Sequence, residues 1–103
     1  MSKSQNAARA ADIFLKAAAY IRRYGWQKEG MGEEGAPRCS MGALSSAYPK
    51  IAWEQSLAQL MYEALYKELR GLSLTQFNSK YQDGEEVAQL YERVAIQLQG
   101  GTA

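Results

Sequence analysis

A chain of 103 residues can build one hydrophobic core but not two, so a single domain is expected over 1–103, with 1–5 and 99–103 as loose ends. At 47% hydrophobic and 22% charged residues it falls in the globular range, which excludes a disordered chain, and Lys16, Arg22 and Arg23 break its most apolar stretch, which excludes a membrane span. The formal net charge of +1 hides an asymmetry: residues 1–28 hold six bases against one acid, and the remainder six bases against ten acids.

The first helix is expected from about Asn6 to Tyr24, because Phe14, Ala17, Ala18, Ile21 and Tyr24 recur at helical spacing while Arg9, Asp12, Lys16 and Arg23 take other faces. Gly25 can take the left-handed conformation that ends a helix, and Trp26 falls where a closing contact back to Ile21 belongs. Residues 27–38 contain Gly30, Gly32, Gly35 and Pro37 and read as a loop, with a short hairpin as the alternative. Ser40 is placed to cap a helix of at most two turns carrying Met41, Ala43, Leu44, Ala47 and Tyr48, which Pro49 stops.

The third helix is expected from about Ile51 to Arg70, on the stripe Trp53, Leu57, Leu60, Met61, Ala64, Leu65 and Leu69, with Gly71 ending it. Ser73 with Gln76 reads as a capping box before a short segment around Leu74 and Phe77. Asp83 with Glu86 reads as a second box, before a helix carrying Val87, Leu90, Tyr91, Val94 and Leu98. Three main helices plus one or two short ones, with a glycine-rich loop at 27–38, predict a small all-α bundle.

Chemistry is narrowed most by the absence of histidine, which removes Cys–His and Ser–His–Asp machinery and, with a single cysteine, a structural zinc of the usual kind. Gly30-Met31-Gly32-Glu33-Glu34-Gly35 matches the GxGxxG pattern of dinucleotide loops, but it follows a helix where that motif follows a strand, and its two acids would repel phosphate. Glu85 and Glu86 fall in a first helical turn, where acids complement the helix dipole, and Glu63 with Lys67 has the i, i+4 spacing of an exposed ion pair. No catalytic residue, metal site or cofactor is expected.

Seven tyrosines and two tryptophans exceed what the core stripes require. Tyr62 and Tyr66, with Gln55 and Gln59, lie to one side of the Leu/Met stripe of the third helix. Two readings stay open for them: a protein-binding patch, since tyrosine is amphipathic and costs little to order, or a roof over the edge of the core.

A-x-x-I-x-x-x-G-W at Ala18 to Trp26, C-x-x-G-A-L at Cys39 to Leu44, then Phe77-Asn78-Ser79 and Glu85-Glu86-Val87 resemble the motifs of an uncharacterised family of small actinobacterial and actinophage proteins. That family tends to carry Trp where this chain has Phe77, and Asp where it has Ser79. The resemblance implies a bacterial or phage origin, no established activity, and a structural grouping of Trp26, Cys39, Gly42 and Asn78.

The resulting expectation is a non-enzymatic protein-interaction module, an accessory or host-directed protein of a phage or mobile element, with a protein partner at Tyr62, Tyr66, Gln55 and Gln59. The alternative is nucleic-acid binding by the basic first helix, through Arg9, Lys16, Arg22, Arg23 and Lys28. A third reading is a reactive thiol at Cys39, beside Arg38 and near a helix start; a packed core thiol is the simpler account. The opening residues carry no apolar leader and the lone cysteine cannot form an intrachain disulfide, so a cytoplasmic location is expected, with no membrane contact.

Overall fold

Alanine on the inner face of a helix lets a second helix approach closely, and the first helix buries Ala10, Ala11, Ala17 and Ala18 there around Phe14. This helix, α1, spans Lys3–Tyr24. In the computed structural model, which describes residues 3–27, 32–33, 35–48, 55–73, 76–77 and 83–100, it is followed by α2 at Ser40–Ala47, α3 at Gln55–Leu69 and α4 at Gly84–Leu98. The architecture is all-α, as the periodicity predicts. Among the described residues the only β-type pairing is a lone bridge between Trp26 and Arg38, and it is parallel, whereas the strands of a hairpin are antiparallel.

α1 and α4 share the most extensive interface and run antiparallel: Arg22 near the end of α1 meets Glu85 at the start of α4, while Ala7 lies beside Gln97 and Leu98 at its end. α3 packs against both, and α2 lies against α1. The Cα radius of gyration is 12.8 Å, close to the ~13 Å of a folded chain of about this length. No described helix is long and apolar enough to cross a membrane.

The helix ends follow their local chemistry with two exceptions. Gly25 takes φ +98 and donates to the Ile21 carbonyl at 2.8 Å, closing α1 as expected. Ser73 and Gln76 form the full capping box, with the Ser73 N–H donating to Gln76 Oε1 (2.8 Å) and the Gln76 N–H to Ser73 Oγ (3.1 Å). Asp83 caps α4 by accepting from the Glu85 N–H at 3.0 Å. Ser40, however, is the first helical residue of α2 and not its cap; that position belongs to Cys39, whose side chain makes no capping bond. Tyr24, placed on the core stripe by spacing, is exposed, its ring 4.8 Å from that of Tyr20.

The third helix is described only from Gln55; Ile51, Trp53 and Pro49 lie outside the described residues, as does Leu74. Its expected stripe is otherwise buried at Leu57, Met61, Ala64, Leu65 and Leu69, with Leu60 half-buried. Gly71 takes φ +89 past its end, where Arg70 is left-handed as well.

Candidate interaction surface

α3 turns Leu57, Met61, Ala64 and Leu65 into the core, which leaves its opposite side to solvent. Gln55, Gln59, Tyr62 and Tyr66 all lie on that side and are all exposed. Tyr62 and Tyr66 are 47% and 57% exposed, so about half of each side chain is open to solvent. The rings stack on each other, centroids 6.0 Å apart and planes inclined by 22°. Side chains four residues apart are neighbours on a helix surface, which is what lets the two rings meet.

Glu63, beside this strip, does not pair with Lys67; its Oε1 accepts from Gln59 Nε2 at 3.2 Å. Both face an open groove of about 370 Å³ between α3, the start of α1 and the end of α4, lined also by Ala7, Leu60, Ala64 and Leu98.

The basic residues of α1 are not gathered into one patch. Arg9, Lys16 and Arg23 recur two turns apart on one side of the helix, with Lys16 bound to Asp12 at 2.9 Å and the Arg23 guanidinium 5.3 Å from the Tyr24 ring centre. Lys28 lies outside the described residues. Arg22 points elsewhere, forking onto Glu85 (3.0 and 2.8 Å) and Glu92 (2.7 and 2.8 Å) of α4. The most strongly held base of the expected phosphate-binding set thus has its donors committed within the fold, and Glu85, read as a dipole complement, is one of its acceptors.

These hydrogen bonds from Arg22 hold the Glu85 and Glu92 carboxyls below their ordinary value of 4.5 and raise the guanidinium further. Carboxylates lowered in the folded state add stability that is fully present above their unfolded value and lost as pH falls through the folded one. A Glu92→Gln variant should therefore melt below the parent at neutral pH, the gap closing as pH falls from about 5 to about 3. Thermal melts across that range check this; a gap independent of pH would mean that the ion cluster contributes nothing. Both acids are solvated, so the gap should also narrow in salt.

The expected grouping around Trp26 and Cys39 is a buried junction. Trp26 Nε1 donates to Ser40 Oγ at 3.2 Å, and the Tyr91 hydroxyl donates to the Ser40 carbonyl at 2.6 Å, joining the end of α1, the start of α2 and the middle of α4. The Ser40 hydroxyl thus has a partner fourteen residues away. Cys39 is 7% exposed and Gly42 is buried; Asn78 lies outside the described residues. Arg38, the cation next to Cys39 in sequence, donates through Nη1 to Ser46 Oγ at 2.6 Å.

Tyr20 had no role in the sequence reading and proves to organise the glycine-rich loop: its hydroxyl donates to the Ala36 carbonyl at 2.7 Å and accepts from the Gly35 N–H at 2.9 Å. Gly32 and Gly35 take φ +70 and +83, and a Cβ on Gly32 would run into the Pro37 carbonyl oxygen. Those glycines of the GxGxxG match serve a tight fold-back onto α1. Gly30, Met31 and Glu34 lie outside the described residues.

The helices that build this surface and this junction are also what the chain shares with a recognised family: the model of the family of unknown function DUF6197 matches residues 5–97, from the first turns of α1 to the last of α4. The chain belongs to that family. The match agrees with the uncharacterised family that the motifs suggested. No curated protein and no solved structure matches the chain. Membership therefore brings no activity or ligand with it, and function has to be argued from the surface itself.

Proposed function

We propose that the chain is a non-enzymatic protein-interaction module that binds through the outer side of α3. The observation that carries this reading is the exposed, mutually stacked pair Tyr62 and Tyr66, flanked by Gln55 and Gln59. Rigid amphipathic rings bury large area for little ordering cost, and tyrosine is enriched among the residues that dominate binding energy. The remaining chemistry supports a binding role over catalysis: the one thiol is withdrawn from solvent, and the Glu85 and Glu92 carboxylates are occupied by Arg22. An accessory or host-directed protein of a phage or bacterial mobile element, acting in the cytoplasm, fits the motif resemblance and the single free cysteine.

The test is site-specific photo-cross-linking in cells that produce the protein, with a benzophenone amino acid at position 66 and, as control, at position 16 on the far surface of α1. A discrete protein adduct is expected from position 66, and it should disappear when Tyr62→Ala is added. Adducts absent from 66, or equally abundant from 16, would remove the reading.

A further inference from the structure

We draw no further inference here: the strongest candidate, the open groove between α3, the start of α1 and the end of α4, carries the opposite charges of Glu63 and Lys67 on one wall, which select no class of occupant, and nothing in the structure shows what covers it.

Discussion

Replacing Tyr91 by alanine should cost about 3–5 kcal/mol, a large share of the ~5–15 kcal/mol that stabilises a domain of this size. The ring is fully buried, 5.4 Å from that of Phe14 with the planes at 54°, so truncation removes the central contact between α1 and α4 and leaves a cavity. Tyr91→Phe separates the two roles of the side chain. It keeps the ring and loses only the bond to the Ser40 carbonyl, for a cost of about 1 kcal/mol. Chemical denaturation of the three proteins checks this order; an alanine variant no less stable than the phenylalanine one would mean that the ring is not part of the core.

The same side chain predicts an alkaline limit. Burial above all, with Cys39 nearby, pushes the Tyr91 hydroxyl far above its ordinary value of 10.0. A folded value raised in this way contributes stability that is fully present below the unfolded value and is lost as pH rises above it, because the unfolded chain releases the proton first. The stability of the parent should thus fall relative to Tyr91→Phe as pH passes about 10. Parallel curves would refute the burial of the ionisable hydroxyl.

The second large effect is expected at Gly84, the first residue of α4. A Cβ built there would sit 2.7 Å from Trp26 Cβ, closer than carbon atoms approach, and 3.1 Å from Ile21 Cγ2, a tight contact. The obstacle is the root of the Trp26 side chain and not a flexible tip, so the whole helix start must shift. Gly84→Ala should destabilise by about 1–3 kcal/mol despite its better helix propensity, and Gly84→Val by more. For a domain of this length that lowers the melting midpoint by roughly 4–8 °C per kcal/mol. An alanine variant that melts at or above the parent would show that α1 and α4 are not held together at this point.

Gly84 also marks where reading along the chain stops. Its neighbours in sequence, Asp83 and Glu85, announce a helix start, and that start is where it was expected. Nothing local says that Trp26, more than fifty residues away, will rest on it. The same division separates the residues read correctly from those misplaced. The Ser73 and Gln76 box is a bond between residues three apart, so the local pattern suffices to find it. Ser40 has an equally good local pattern for a cap, but Trp26 Nε1 competes for its hydroxyl across the fold.

The exposed side of α3 was legible in part. Helical spacing placed Tyr62, Tyr66, Gln55 and Gln59 on one side of the third helix, and their exposure confirms the side. Spacing could not say whether another helix would cover that side, and the packing of α1 and α4 on the opposite face leaves it open. Arg22 went the other way. Counting charges put it in a basic segment, whereas the antiparallel register of α1 and α4 delivers it to two acids from the acidic remainder of the chain.

The sequence by itself determined that this protein is an all-α bundle without the residues of histidine-dependent chemistry, because periodicity, caps and composition are local quantities. Tertiary structure alone decided which polar groups are consumed by the fold and which are left exposed. Arg22, Tyr20 and Tyr91 are consumed and Tyr62 and Tyr66 are left, since a side chain's availability depends on what a distant segment brings to it.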